Sequence, residues 1–260
     1  MKKLLLLSIS LLALSFLPNT FAHDLKGAIA SEDRTPKNVA RDVYRHPYET
    51  LEFFGIKQDM TVIELSPGGG WYTEILANYI HYPGTLIAAH FNPDAGGYYE
   101  RGRANFEKKM NSNPMYGRVE IVNIDSTLAE PNSVDAFLTF RNLHNWLGPL
   151  LDTIFSNSYK ALKPGGIFGV VEHRANEGTI LEVMKKSGYV TEQHAIAMAK
   201  KHGFELVSKS EVNSNPKDIK NYPKGVWTLP PNLRMKEVDK EKYLEIGESD
   251  RMTLLFRKPL

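Results

Sequence analysis

Between residues 61 and 79 the chain passes from an apolar run into a glycine turn and out into a helix, and few folds accept that order. Val62, Ile63 and Leu65 read as a buried strand with Glu64 near its end. Pro67-Gly68-Gly69-Gly70 breaks the strand, and Trp71 to Tyr79 resumes with helical spacing. Strand, glycine turn and helix are the parts from which α/β proteins build a nucleotide-binding crevice. Glycine is required where a Cβ would occupy the place of an approaching ligand. Glu64 sits where a carboxylate accepts hydrogen bonds from a ribose or another polar group.

The first 22 residues read as a secretory signal, with Lys2-Lys3, an apolar run from Leu4 to Leu17 and a small-residue cleavage site at Thr20-Phe21-Ala22. That run is about 14 residues, short of the roughly 20 that span a bilayer. Export is therefore expected, into the periplasm if the source is Gram-negative, with no membrane attachment after cleavage. The two signal lysines account for the excess of 32 Lys+Arg over 30 Asp+Glu, so the processed chain is formally neutral. A neutral surface lacks the basic footprint of a nucleic-acid-binding protein. The chain has no cysteine, which excludes disulfides and a lipid-attached cysteine. Its eight histidines form no His-Glu-x-x-His pair, so no metal site is expected. A serine-hydrolase elbow is absent, and the hydride-transfer fingerprint fails at Thr73, where its last glycine would stand.

Residues 23–260 read as one α/β domain. A helix is expected over 38–54, interrupted at Pro47, and strands follow at Thr61–Leu65, Thr85–His90, 119–124, Val134–Phe140 and 167–171. Helices are expected at Trp71–Tyr79, 97–110, 147–161 and 191–202, the third ended by Lys163-Pro164-Gly165-Gly166. This alternation implies a parallel sheet. Two further strands, 204–212 and Arg251–Arg257, have no strong helix between them and suggest an antiparallel edge. The segment 213–249, with Tyr222, Trp227 and Tyr243, is long enough to be a functional lid or a partly disordered loop.

Order and spacing together resemble the class I S-adenosylmethionine-dependent methyltransferases, a Rossmann-like fold of seven strands, mostly parallel, closed by an antiparallel hairpin. Glu64-Leu65-Ser66-Pro67-Gly68-Gly69-Gly70 is similar to their first motif, Leu162-Lys163-Pro164-Gly165-Gly166 to the turn before their fifth strand, and 251–259 to their terminal hairpin. More narrowly, the chain resembles a group of exported or periplasmic methyltransferases. The resemblance implies S-adenosyl-L-methionine as cofactor and a small-molecule acceptor. It implies that Glu64, Ser66, Gly68 and Gly70 line the methionine and ribose part of the cofactor. It places Asp125 opposite the adenine amino group, Ser126 at the ring edge, and Arg141 and Asn142 beside the methionyl group. The family usually has a carboxylate at the end of strand 2 for the ribose hydroxyls. Here the strand ends Ala88-Ala89-His90-Phe91-Asn92, so His90 or Asn92 is the expected substitute.

Three residues are candidates for the chemistry. His144, in the segment after strand 4, suits a base because histidine is the side-chain type whose charge changes most readily at physiological pH; its plainer reading is a loop cap. Glu172 and His173 follow strand 5 onto the same crevice; His173 reads as a ligand or base, and Glu172 as part of the chemistry or as an ion pair with Arg174 or Arg141. Arg41, Tyr44, Arg45 and His46 fold over the cofactor or are exposed helix charges. Trp71 and Tyr72 stack near the methionine end or pack the first helix; Tyr222 and Trp227 cover a substrate or pack on the sheet. Two functions remain open: a methyltransferase acting on a small molecule, and an exported, non-catalytic binding protein on the same scaffold.

Overall fold

The structure, a computed structural model, describes residues 24–260; the signal expected at 1–22 lies outside them. Four short helices come first: Leu25–Ile29 (α1), Pro36–Val39 (α2), Asp42–Arg45 (α3) and Pro47–Phe53 (α4). Strand β1 (Thr61–Leu65), α5 (Trp71–Tyr79), β2 (Thr85–His90), α6 (Gly97–Met110), β3 (Glu120–Asn123) and β4 (Val134–Phe140) follow. Then come α7 (Leu143–Trp146), α8 (Pro149–Ala161), β5 (Leu162–His173), α9 (Leu181–Ser187) and α10 (Glu192–Lys201). Strand β6 (Glu205–Ser210), α11 (Lys240–Ile246) and β7 (Arg251–Arg257) complete the order.

The strands form one sheet in the order β3-β2-β1-β4-β5-β7-β6. Strands β1 to β5 pair in parallel, while β7 runs antiparallel to both β5 and β6, which gives the expected closing hairpin. The chain builds outward from β1 through β2 to β3, then returns to the other side of β1 with β4. Connections leave in opposite directions at that point, and the carboxyl ends of β1 and β4 open a crevice.

Both faces of the sheet are covered. Side chains alternate along each strand, so Ile63, Leu65 and Phe137 join Phe155 and Phe168 in one core. Val62, Ala136 and Leu138 join Phe54, Ile75 and Leu76 in the other. Each of the larger side chains contributes about 1.5–3 kcal/mol when buried, so the strand ends that carry the site are firmly seated. At Gly169 a Cβ would come within 2.8 Å of Leu138 and 2.9 Å of the Phe54 ring; glycine allows that close approach.

Three expectations change. The helix over 38–54 is divided into short pieces, with His46 in the left-handed region at φ 42°. Pro47 disfavours α geometry in the residue before it, which explains the break. The Lys163–Gly166 turn does not end α8 but lies inside β5: register steps from Val134↔Leu162 to Ala136↔Ile167, so residues 163–166 bulge from that ladder. Gly165 N–H donates to Lys258 O across the bulge at 2.9 Å. Segment 213–249 contains α11, where no helix is expected, and is strapped to the domain. Asn213 Nδ2 donates to Thr50 Oγ1 and Thr253 Oγ1 at 3.0 and 2.9 Å. Among the described residues, no helix is long and apolar enough to cross a membrane.

Candidate active site

The turn after β1 takes left-handed geometry at alternate positions: Ser66 at φ 51°, Gly68 at 58° and Gly70 at 77°. For serine this costs about 1–2 kcal/mol. Its N–H is fixed by Ala89 O at 2.8 Å, whereas its buried Oγ has no partner. A Cβ built on Gly68 or Gly69 meets nothing within 4 Å and would project into open space; one on Gly70 would meet the Phe106 ring at 3.2 Å. The turn is thus a cradle on one side and packed on the other.

Glu64 lies behind the cradle and is buried. Its carboxylate accepts from Thr73 Oγ1 at 2.6 Å, tying the strand end to α5. Burial pushes its pKa up to about 7, against the hydrogen bond from Thr73 and the charge of Lys109. Lys109 Nζ donates to Gly69 O at 2.8 Å and pairs with Glu74 at 2.6 Å, so α6 also holds the turn. Glu64 is placed to shape the turn from within the protein.

His90 is a correction to the expected ribose contact. Its Nδ1 accepts from Phe91 N–H at 2.7 Å, which puts the proton on Nε2 and lets it donate to Gly68 O at 3.1 Å. Both ring nitrogens are spent on backbone, and the ring pins the turn to β2. Burial lowers its pKa, keeping it neutral for this role. Asn92 stands differently. Its Nδ2 reaches Asp125 Oδ2 at 3.3 Å, and both residues line a cavity of about 320 Å³ with Ser66, Phe91, Ile124 and Trp146. Ser126 is exposed, and its hydroxyl donates to Asn123 O at 2.7 Å within its own turn, so it is not drawn into that cavity.

A second cavity, about 480 Å³, lies beyond the turn, with Arg41, Ser66, Gly68, Trp71, Arg141 and Pro231 in its walls. Asn142 also borders it, but its amide is committed to the ends of β1 and β4, donating to Ser66 O at 3.1 Å and lying 3.2 Å from Phe140 O. Asn142 therefore clamps the crossover. Arg141 follows β4 with φ 65°, fixed by its N–H to Val171 O at 2.6 Å.

At the ends of β4 and β5, His144, Glu172 and His173 come together. Glu172 is fully buried; its carboxylate accepts from His144 Nδ1–H at 3.0 Å, His144 N–H at 3.2 Å and His173 N–H at 2.7 Å. A carboxylate only accepts, so the proton sits on Nδ1 of His144 and Nε2 is left with its lone pair. This is the arrangement of an oriented base. Trp227 and His144 pack edge to face, with ring centroids 5.9 Å apart. His173 pairs with Ser249 Oγ at 2.5 Å, and burial, His144 and the nearby arginines push its pKa well below the ordinary range. Arg174 turns away to Glu192, Glu211 and Asp250, so the expected Glu172–Arg174 pair does not form.

The three residues also offer ligand atoms within 4.8 Å of one another, a grouping that sequence spacing did not reveal because they lie in two separate segments. As built, the carboxylate is occupied by three donors, and Arg45, Arg141 and Arg251 face His173 with positive charge. Those cations oppose a metal ion at this point.

The sheet has the order 3-2-1-4-5-7-6, and the chain as a whole resembles solved structures. A S-adenosylmethionine-dependent methyltransferase from Aquifex aeolicus superposes with a TM-score of 0.57 at 16% identity, over 90% of this chain and 98% of that one. The fold is that of the class I methyltransferases. The chain is also similar in structure to the 4+2 cyclase SpnF, with a TM-score of 0.60 at 15% identity over 91% and 92% of the two chains. By sequence the chain is similar to sterol 24-C-methyltransferase erg-4 of Neurospora crassa, 26% identical over 234 residues. That match covers 84% of this chain, which spans 56% of the relative's length. No family model matches.

Several residues of the site escape sequence reading. Thr73, Lys109, Ser249, Glu248 and Arg251 reach it from positions 9 to more than 200 residues away from their partners. Only the spacing of Glu248 and Arg251, three apart, carries a local signal of their ion pair.

Proposed function

We propose that the protein is an S-adenosylmethionine-dependent methyltransferase that acts on a small molecule. The observation that carries this reading is the cradle at 66–69, open toward the crevice at the β1–β4 crossover, with an oriented His144–Glu172 pair at the neighbouring strand ends. The residues fit the cofactor. Ser66 Oγ is a buried hydroxyl without a partner, and Gly68 and Gly69 leave the space that a side chain would fill. Asn92 and Asp125 offer a polar pair to the nucleoside part, with Phe91, Ile124 and Trp146 as apolar walls.

When bound, this cofactor supplies an electrophilic methyl group on a sulfonium. The chain's own contribution is position and proton removal. Holding an acceptor in line is where an enzyme gains most in such a displacement. His144 Nε2 takes the acceptor's proton, and Glu172 holds the ring and stabilises the imidazolium that forms. Trp227 and Pro231 from the late segment reduce access of water to this end.

The test is the melting temperature of the protein with S-adenosylhomocysteine. At about 100 times Kd, binding adds roughly 2.7 kcal/mol, which gives an upward shift of several degrees. No shift at millimolar ligand breaks the proposal. Glu64→Ala is expected to abolish the shift, since the cradle loses its tie to α5.

A further inference from the structure

Three guanidinium groups converge on one buried carboxylate at the far wall of the crevice. Arg41, Arg45 and Arg251 reach Glu248 at 2.6, 3.4 and 2.7 Å. Two carboxylate oxygens do not satisfy three forks. Nη2 of Arg41 and Nη2 of Arg45 are buried without a hydrogen-bond partner, and the Arg45 side chain is only 2% exposed. It is locked in place against the Trp71 ring, 4.5 Å from the centroid.

Arg141 adds a fourth. Its guanidinium makes no hydrogen bond or ion pair with any described residue, although removal from water and the neighbouring Arg251 and Arg41 lower its pKa to about 10. Arg41 and Arg141 both face the 480 Å³ cavity, Lys37 stands at its rim, and no carboxylate lines it. Four arginines thus lie near two carboxylates, Glu248 and Glu172, and Arg141 contacts neither. Buried cations in excess are costly unless an anion meets them.

The cofactor of the proposed reaction does not remove this excess. S-adenosylmethionine carries a carboxylate, an ammonium and a sulfonium, so its arrival makes the crevice more positive. Even if its carboxylate engages one arginine, the others remain without a counter-charge. We propose that Arg41 and Arg141 bind an oxyanion of the methyl acceptor, a carboxylate or phosphate, and that the acceptor is an acidic small molecule. Guanidinium forks match such groups with paired hydrogen bonds. This inference rests on the methyltransferase reading for the word acceptor, but the anion subsite itself is testable alone.

The experiment compares melting temperatures with benzoate, benzamide and inorganic phosphate at constant ionic strength, with and without S-adenosylhomocysteine, in the wild type and in Arg41→Gln. Benzoate or phosphate is expected to raise the melting temperature by 2 °C or more (on the order of 0.5 kcal/mol), with benzamide inert. Whichever anion acts identifies the oxyanion. Arg41→Gln is expected to remove the shift while S-adenosylhomocysteine affinity, by calorimetric titration, changes less than about threefold. Equal effects of benzoate and benzamide, with phosphate inert, overturn the proposal. So does a loss of tenfold or more in S-adenosylhomocysteine affinity, which assigns the arginines to the cofactor's own carboxylate. If Arg41→Gln does not fold, Arg41→Lys, which keeps the charge beside Glu248 and loses the fork, reads the same comparison. Failure of the wild type to bind S-adenosylhomocysteine breaks the methyltransferase reading, while the anion shift without it still decides the subsite.

Discussion

The two ends of the crevice are held together by different means. At the β1–β2 end the turn is held through its own backbone groups: Ala89 O accepts from Ser66 N–H, and the His90 ring and the Lys109 ammonium donate to the carbonyls of Gly68 and Gly69. At the β4–β5 end side chains carry the geometry, with His144 on Glu172, His173 on Ser249, and three arginines on Glu248. Fixation through backbone groups tolerates changes in the turn's own side chains and suits a ligand of constant shape. A side-chain network depends on each member, because removing one leaves a charge unpaired in a poorly solvated place. Under the proposed function, the first end takes the cofactor and the second takes what varies between enzymes of this fold.

The largest effects are expected at the side-chain end. His144→Ala should keep S-adenosylhomocysteine affinity and lower methyl transfer by about 10²–10⁴-fold, the usual contribution of a base; unchanged turnover with the true acceptor removes His144 from the chemistry. Glu248→Ala leaves Arg41, Arg45 and Arg251 without their shared carboxylate. A loss of roughly 3–5 kcal/mol is expected in denaturant unfolding, and a loss under 1 kcal/mol would show that solvent already screens the cluster. In the wild type, Glu248 is held down at about 2, mainly by Arg251, Arg45 and Arg141 against the opposing effect of burial. Its stabilisation is therefore present above the unfolded carboxylate range and is lost as pH falls through about 2.

Glu64 works in the opposite sense and with smaller effect. Burial raises its folded pKa to about 7 from an ordinary value of 4.5. The native state therefore holds a proton that the unfolded chain has released, and stability declines as pH rises from about 4.5 to 7. Glu64→Gln should flatten that window by about 1–3 kcal/mol; equal slopes in both proteins would mean that Glu64 is ionised throughout. The smallest effect belongs to Ser66→Gly, which relieves left-handed strain and should stabilise by about 1 kcal/mol. If Ser66 Oγ meets the cofactor, affinity falls as stability rises.

The same contrast explains what the sequence made legible. Glu64, Ser66, Gly68 and Gly70 lie within seven residues, and their geometry follows from local backbone rules, so the cradle and its place in the sheet were readable. The positions of Asp125 and Asn92 past the strand ends are readable too, because the apolar runs locate those ends. His90 stands beside Asn92 as an alternative for the ribose on sequence alone, because nothing local indicates that its two nitrogens meet Phe91 N–H and Gly68 O. The pairing of His144 with Glu172 spans 28 residues, and that of Arg41 with Glu248 spans 207. Such contacts depend on the register of packed strands, which no window of sequence encodes. The residues 163–166 misled for a related reason: proline and glycines that signal a turn also suit a bulge inside a strand.

Strand β7 lies between β5 and β6 rather than at the margin of the sheet. Glu248 and Ser249 immediately precede it, so the arginine cluster and the His173 contact take shape only when this strand is inserted. A nascent or clipped chain ending before Arg251 would carry a finished glycine cradle but no means of closing the opposite wall. It would also expose unpaired edges on β5 and β6, a template for joining another such chain. Competence for ligand and protection from self-association are thereby gained in the same step.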